Sequence, residues 1–332
     1  MKLKDLGERR IIDRITGILN NYDRSKVKVQ SVIDYGDDVA AVEFADRYLV
    51  ISTDQMTQST HIPPDAKPWQ IGWYAIATNL SDIAAKGASP IGLTVALGLP
   101  KERQIEFVEE LTKGMRDCAF NFKTSILGGD TKPNEYLTIS VAALGIVKKT
   151  EFMPRRGGMP GDLVAVTGLL GEAARGYYSN DLKTLLEPMP AIEEGRALAK
   201  TGFVTSSMDI SDGLANSLYQ QTRLNKLRYK VHLDKLPVSA KLRDFCKKSG
   251  KSLEDLALNF GGDFTLLVTI KPEGLRAVQA ALAEIFSDIT VIGEVVADNV
   301  DVKTVKNILV KDNQEEELKD LGYEHFRDPY IR

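Results

Sequence analysis

The spacing of apolar residues along the chain predicts helices and strands in both of its halves. Seven leucines and isoleucines between Leu3 and Leu19 recur at the helical period, which predicts an amphipathic helix over residues 2–21. The same pattern predicts further helices at 69–86, 105–118, 170–178, 190–200, from 211 onward, at 239–249 and at 273–286. Short apolar and β-branched runs predict strands at 39–44, 48–52, 92–97, 125–127, 137–147, 163–167, up to 209, at 229–233, at 264–270 and after 289.

A turn-rich segment at 154–162, Pro-Arg-Arg-Gly-Gly-Met-Pro-Gly-Asp, separates two stretches that each contain predicted helices and strands. We therefore place a domain boundary near residue 150, giving domains 1–150 and 151–332. The length of 332 residues agrees with two domains at roughly 150 residues each. Because each half mixes strands with long helices, the predicted class is α+β or α/β with two layers per domain.

Composition narrows the function classes. Lys and Arg number 43 against 46 Asp and Glu, a net charge of −3, which argues against non-specific nucleic-acid binding. No segment has the ~18 consecutive apolar residues of a membrane span, and the first residues lack the apolar core of a signal peptide. The two cysteines, Cys118 and Cys246, have no metal-ligand spacing. We expect a cytoplasmic protein with no nucleic-acid or membrane partner.

Five acidic motifs fall at predicted strand ends, turns or helix starts, beside small or hydroxylated residues. They are Gly36-Asp37-Asp38, Ser52-Thr53-Asp54, Asn79-Leu80-Ser81-Asp82, Gly128-Gly129-Asp130-Thr131 and Asp209-Ile210-Ser211-Asp212-Gly213. Carboxylates that shared one cleft would repel each other unless a cation lay between them. Oxygen ligands with few His or Cys suit Mg²⁺, the usual companion of nucleotide phosphates. The alternative for any single motif is a cap, as with Ser211 as an N-cap and Asp212 in the first turn.

Several other kinds of site are disfavoured. The chain has no P-loop, no G-x-G-x-x-G and no G-x-S-x-G, and its histidines are only His61, His232 and His325. Residues 167–171, before an Ala-rich helix, could present backbone N–H groups to a phosphate or form a plain tight turn. Arg155 and Arg156 would by themselves be a solvated charge pair or a phosphate contact.

In this order and at this spacing, the five motifs resemble those of the thiamine-monophosphate kinases, in the superfamily of aminoimidazole ribonucleotide synthetase. His61, seven residues after Asp54, also matches those kinases, and the resemblance covers about residues 30–330. It implies ATP-dependent transfer of a phosphoryl group onto thiamine monophosphate, which gives thiamine diphosphate. It also implies two α/β domains, a homodimer whose N-terminal domains share a β-barrel, and ATP near that interface.

The resemblance also implies roles for individual residues. The implied Mg²⁺ ligands are Asp38, Ser52, Thr53, Asp54, Asp82, Asp130, Asp209 and Asp212. Gly129, Asp130, Arg155 and Ser211 would contact ATP, and His61, Asp263 and Tyr323 would contact thiamine monophosphate. Asp54, Asp130 and Asp212 are expected to carry catalysis. On a helix Asn79 would share a face with Asp82 and brace it.

The chemistry of the reaction agrees with this site. Both reactants are polyanions, so alignment and charge neutralisation by metals do most of the catalysis. The acceptor phosphate is already ionised near neutral pH, and no general base is required. The departures from the family pattern, at residues 55–56, 261–265 and 319–323, all fall on the acceptor side. Two alternatives therefore stay open: a sister synthetase in which ATP activates an amide or carbonyl oxygen, and a non-catalytic ATP-binding scaffold.

Overall fold

The computed structural model describes residues 2–21, 23, 26–297 and 300–321 of the chain. These residues form two mixed sheets with helices packed on them, which confirms the α+β class. Tyr323 and His325 lie outside the described residues. Within the described ranges, no helix combines the length and the hydropathy that crossing a bilayer would demand.

The first sheet takes its strands from the N-terminal half. Its five strands are β1 (Ala40–Phe44), β2 (Arg47–Thr57), β3 (Ser89–Leu99), β4 (Ile126–Pro133) and β5 (Thr138–Lys148). Their order is β1-β2-β5-β3-β4, with β3 and β4 parallel and the other pairs antiparallel. The accompanying helices are α1 (Glu8–Leu19), α2 (Gln58–His61), α3 (Pro68–Ala85) and α4 (Ile105–Asn121).

The second sheet takes its strands from the C-terminal half. They are β6 (Leu163–Thr167), β7 (Val204–Asp209), β8 (Arg228–His232), β9 (Leu266–Ile270), β10 (Ile289–Ala297), β11 (Ile308–Lys311) and β12 (Gln314–Glu317). Their order is β12-β11-β8-β10-β6-β9-β7, and β8 pairs with β11 in parallel. The helices are α5 (Glu172–Tyr178), α6 (Leu182–Leu186), α7 (Ile192–Thr201), α8 (Leu214–Asn225), α9 (Ala240–Ser249), α10 (Leu253–Asn259) and α11 (Leu275–Ala283).

Helix α3 is the central element that positions the site. Thirteen of its 18 residues are buried, between the first sheet, α4, α7 and β7. Its contact with α4 is close because Gly72 has no side chain: a Cβ there would lie 2.0 Å from the Leu111 carbonyl oxygen. One hydrophobic core continues from Ile83 on α3 to Leu198 on α7 and Leu266 on β9. The two sheets are therefore joined by a shared core that surrounds this helix.

Most predicted elements are present, but several boundaries are wrong. The predicted 2–21 helix is a short 3₁₀ turn, Leu3–Asp5, followed by α1, and the helix predicted over 273–286 ends as α11 at Ala283. The helix after Asp209 begins at Leu214 with Gly213 as its N-cap, so Ser211 is not the N-cap. Helices α2, α6 and α10 were not predicted, because each has only four to seven residues.

The placing of Asp54 and Asp130 at strand ends is also wrong. Asp54 lies inside β2, which pairs with β5 along its whole length from Arg47 to Thr57. Asp130 lies inside β4, and Asp82 lies in the last turns of α3. In β2 and β4, pairing with a neighbouring strand extends the element through polar residues that local propensity assigns to turns.

Candidate active site

Three carboxylates from distant parts of the chain converge between the two halves. Asp38 precedes β1, Asp82 lies on α3 and Asp209 ends β7. One carboxylate oxygen of each lies within 4.8 Å of the other two, and among the described residues this trio has the geometry to hold a metal ion. Hard oxygen ligands of this kind suit Mg²⁺.

Hydroxyl and amide groups fix this cluster to the fold. Ser81 Oγ donates a 2.8 Å hydrogen bond to Asp209 Oδ2, and the Ser52 hydroxyl hydrogen-bonds Asp82. The amide oxygen of Asn79 accepts a 3.1 Å hydrogen bond from the Asp54 backbone N–H. Asn79 therefore braces β2 at Asp54, and the prediction that it braces Asp82 is wrong. The helix and the strand that carry two of the acidic motifs are held together by this contact.

The carboxylates destabilise one another's charges. Burial and the charges of Asp209, Asp54 and Asp38 raise the pKa of Asp82 well above its usual value. Burial, and then the charge of Asp38, raise the pKa of Asp209 to about 7. Asp54, at the exposed mouth of the cluster, has its pKa raised by partial loss of hydration and by Asp38. A divalent cation among these oxygens would relieve the repulsion, so the residues present fit a metal.

Two cationic side chains already contact Asp38. Arg155 Nε lies 2.7 Å from Asp38 Oδ1, and Lys86 Nζ contacts Asp38 Oδ2. Burial alone would raise the pKa of Asp38, but Arg155 and Lys86 lower it. Arg155 is therefore an ordered site residue, whereas Arg156 pairs with Asp34 at the surface. The sequence reasoning missed Lys86, and its signal was a lysine in the otherwise small and apolar run Ile-Ala-Ala-Lys-Gly-Ala.

The loop that carries Ser211 and Asp212 pairs with the loop at 261–265. Gly262 N donates to Ser211 O at 2.8 Å, and Phe264 N donates to Ile210 O at 3.0 Å. Tyr74 on α3 packs edge-on against Phe264, with ring centroids 5.7 Å apart. Burial, followed by the charges of Asp212 and Asp54, raises the pKa of Tyr74. The charges of both carboxylates therefore act on Tyr74, which the sequence reasoning did not select.

Asp263 is used within the fold. Its carboxylate accepts hydrogen bonds from Gly171 N at 2.6 Å and from Ala173 N at 2.9 Å, at the start of α5. Burial raises its pKa to about 7, although these two N–H groups act in the opposite direction. The sequence offered the backbone N–H groups at this helix start, after residues 167–171, as a phosphate site. They bind a carboxylate of the chain itself.

His61 is held by the turn that follows β2. Thr57 N donates to His61 Nδ1 at 3.3 Å, and Thr60 Oγ1 lies 2.5 Å from the same nitrogen. The ring is half-buried, so its place is fixed by local contacts.

Asp130 and Gly129 lie apart from the carboxylate cluster. Gly129 lies in one row across the sheet with Val95, Val141 and Asp54, three strand spacings or about 14 Å from β2. Asp130 occupies the next row, and its side chain is 61% exposed and pairs with Lys132 at 3.1 Å. Thr53 and Asp130 are both exposed. Their partners on the neighbouring strands have side chains on the face of the sheet that points away from α3. Within one chain, Asp54 and Asp130 therefore do not meet.

Comparisons with known proteins identify the family of the chain. The family model described as AIR synthase related protein, N-terminal domain, matches residues 36–147, and the model of its C-terminal domain matches residues 159–306. A thiamine-monophosphate kinase from Aquifex aeolicus is 31% identical over 308 residues, covering 89% of this chain and 93% of the relative. One from Methanospirillum hungatei is 33% identical, covering 75% and 84%.

A solved structure with the same architecture is described as AaThiL complexed with AMPPCP and TMP. It superposes with a TM-score of 0.81 at 29% identity, and the match covers 98% of this chain and 99% of that one. The match therefore includes both sheets of the chain.

Proposed function

The chain belongs to the AIR synthase related family, among its thiamine-monophosphate kinases, and on this premise we propose that it transfers the γ-phosphoryl group of ATP to thiamine monophosphate. The products are thiamine diphosphate and ADP. The observation that carries the proposal is the convergence of Asp38, Asp82 and Asp209 from both halves of the chain. A relative of the same fold that holds AMPPCP and TMP supports ATP as donor and thiamine monophosphate as acceptor.

The residues of the cluster would hold Mg²⁺. We assign Asp38, Asp54, Asp82, Asp209 and Asp212 as ligands, with Ser52 and Thr53 beside them. When bound, Mg²⁺ neutralises the negative charge of the phosphates and helps align them. The raised pKa values of Asp82 and Asp209 support this assignment, because the fold retains costly buried carboxylates there.

The chain's own side chains would orient the two substrates. Arg155, whose side chain is 11% exposed and pairs with Asp38, would bind the phosphates of ATP together with Ser211. His61, held by the turn after β2, and Tyr74, packed against Phe264, would face thiamine monophosphate. Asp263 would act on the acceptor through the loop 261–265, which it anchors to α5. Because the acceptor phosphate is ionised near pH 7, direct in-line transfer requires no general base.

A homodimer would complete the site. The uncovered face of the first sheet exposes Ile51, Ile91 and Leu127, and apolar surface of this kind favours burial against a partner. If a second copy packed on this face, the first sheet of each protomer would contribute to a shared β-barrel. The open edges of these two sheets would then be removed. It would also bring Gly129 and Asp130 of one protomer toward the Asp54 of the other. We place residues 1–150 in this dimerising domain and 151–332 in the domain that completes the site.

The proposal is tested by supplying Mg-ATP with a panel of acceptors: thiamine monophosphate, thiamine, and inorganic phosphate. Chromatography should detect thiamine diphosphate with thiamine monophosphate and no phosphorylated product with the other two. ATP binding without product would support a scaffold. Release of ADP that depends on an amide or carbonyl compound would support a sister synthetase, which the named relatives do not favour.

A further inference from the structure

Arg155 lies in the joint between the two halves of the chain and is held by groups from both. From the N-terminal half, Asp38 and the carbonyl oxygen of Gly36 accept hydrogen bonds from its guanidinium group. From the C-terminal half, Gln220 Oε1 on α8 accepts a 2.7 Å hydrogen bond from Nη1. The guanidinium group is planar and its N–H bonds point in fixed directions, so these acceptors together determine how the group is turned.

Gln220 begins a row of hydrogen bonds that continues along α8 to the segment after β12. Its Nε2 donates to Asn216 Oδ1 at 2.7 Å, one turn earlier on the helix. Asn216 Nδ2 donates in turn to Asp320 Oδ1 at 3.4 Å. The other carboxylate oxygen of Asp320 accepts a 2.7 Å hydrogen bond from Arg9 of α1. Two amide side chains therefore connect Arg155 to a carboxylate that is itself held by the N-terminal helix.

The direction of this row is fixed by its two ends. A guanidinium group can only donate hydrogen bonds, and a carboxylate can only accept them. Gln220 must therefore turn its amide oxygen toward Arg155 and its NH₂ group toward Asn216. Asn216 must turn its own NH₂ group toward Asp320. Asn216 is buried and the side chain of Asp320 is mostly so, and hydrogen bonds in such surroundings are electrostatically stronger than in water.

The main chain at Arg155 is held by a different side chain of the same helix. Asn225 Nδ2 donates a 2.9 Å hydrogen bond to the Arg155 carbonyl oxygen, and Asn225 Oδ1 accepts one from Gly157 N at 3.0 Å. The backbone and the guanidinium group are thus fixed separately. A substitution at Gln220 can release the guanidinium group while the backbone keeps its hydrogen bonds to Asn225.

We propose that Gln220 and Asn216 are positioning residues for the nucleotide. They link Arg155 to Asp320 and keep its guanidinium group turned for the phosphates of ATP. The inference rests on the proposed function, in which Arg155 binds those phosphates. It also gives Asp320 an effect on ATP, although the segment 319–323 to which this residue belongs was expected on the acceptor side.

The test measures two dissociation constants by calorimetry in Mg²⁺: that of AMPPCP, and that of thiamine monophosphate with saturating AMPPCP. Gln220→Met keeps the length of the side chain and removes both of its hydrogen-bonding groups. We expect the Kd of AMPPCP to rise at least about fivefold, because Arg155 loses an acceptor that orients it. The Kd of thiamine monophosphate should stay within about twofold of the wild type. The matched control is Gln279→Met, at an exposed position of α11, which should change neither constant.

A double variant shows whether the distant carboxylate acts through the two amides. Asp320→Ala removes the acceptor at the end of the row and should raise the Kd of AMPPCP about threefold. Added to Gln220→Met it should have no further effect, because the row is already interrupted. Glu317→Ala is the control, since it removes a paired carboxylate from β12 and should leave AMPPCP binding unchanged.

Three results would overturn the inference: unchanged AMPPCP binding in Gln220→Met, an equal loss of thiamine monophosphate binding, or additive effects in the double variant. Should Gln220→Met not fold, Asp320→Ala decides alone. Weaker binding restricted to AMPPCP would then support the inference, and an unchanged Kd would overturn it. Failure of the kinase assignment is seen separately, because wild-type protein would then form no thiamine diphosphate while the AMPPCP titrations still compare the variants.

Discussion

Ser81 on α3 donates a 2.8 Å hydrogen bond to Asp209 at the end of β7, across 128 positions of sequence. Both residues are buried. The bond ties the helix that carries Asp82 to the strand that carries Asp209, so the spacing of these two carboxylates depends on the packing between the halves of the chain. Changes at this contact should affect the stability of the fold and the active site together.

The first prediction concerns this bond. Ser81→Ala removes the donor and leaves a buried carboxylate without it, which should lower the free energy of unfolding by about 1–3 kcal/mol. Urea denaturation measures the loss. Ser249→Ala is the control, because its hydroxyl bonds two exposed backbone groups at a helix end, the Phe245 carbonyl and the Lys251 N–H, and the change should alter stability by less than about 0.5 kcal/mol. Equal effects of the two variants would contradict the structural role of the bond.

Asp82→Asn should separate activity from stability. Removal of a proposed metal ligand should lower the rate of thiamine diphosphate formation by at least about 100-fold. In EDTA the same variant should melt at a higher temperature than the wild type, because a buried and repelled carboxylate has been replaced. Scanning calorimetry and the turnover assay check the two parts. Asp65→Asn, at an exposed loop residue, should change neither; a less stable Asp82→Asn that stays active would refute the assignment.

The pH dependence of stability should reveal Asp209. Its pKa rises from 3.8 to about 7 in the metal-free fold, so between these values the folded chain holds a proton that the unfolded chain has lost. The contribution of Asp209 to the free energy of unfolding therefore falls by about 1.4 kcal/mol per pH unit as the pH rises through this window, and is constant above it.

The Asp209→Asn variant has no ionisable group at this position. Its free energy of unfolding therefore lacks this pH-dependent contribution. Its stability relative to the wild type in EDTA should therefore grow from pH 4 to pH 7 and then level off. Denaturation at several pH values measures the difference. A difference that is the same at every pH would contradict a raised pKa at Asp209.

Mixing two inactive variants tests the proposed dimer. Asp54→Asn and Asp130→Asn should each be inactive alone. If each site combines the Asp54 of one protomer with the Asp130 of the other, random reassociation after mild denaturation should restore about one quarter of wild-type activity, because half the dimers are mixed and each has one intact site. Asp54→Asn with Asp82→Asn, which alter the same half of the site, should restore none. No recovery in the first mixture would place both residues in one chain's site or remove Asp130 from it.

Sequence patterns predicted the parts of the site that are set by local structure. The helical period and the motif at 79–82 placed Asp82 on a buried helix, and the acidic motifs selected all three members of the cluster. A resemblance to a family supplied the roles, because composition alone assigns a carboxylate equally to a cap or to a metal.

The features that were missed depend on long-range packing. The position of Asp130 follows from the pairing of β4 with β3, which places three strand spacings between it and β2. Lys86 resembles a surface lysine in the sequence, and only its burial beside Asp37 and Asp38 makes it part of the site. Asn79 accepts a hydrogen bond from the backbone of β2. The helical period of α3 does not indicate which strand lies beside it.

The most direct test of the central claim is a time course of ADP and thiamine diphosphate in one reaction of wild-type protein with ATP and thiamine monophosphate, in Mg²⁺ and then in EDTA. If carboxylates from both halves assemble a metal-assisted phosphoryl-transfer site, the two products should form in equal amounts in Mg²⁺ and neither should form in EDTA. ADP without thiamine diphosphate, or transfer that continues in EDTA, would contradict it.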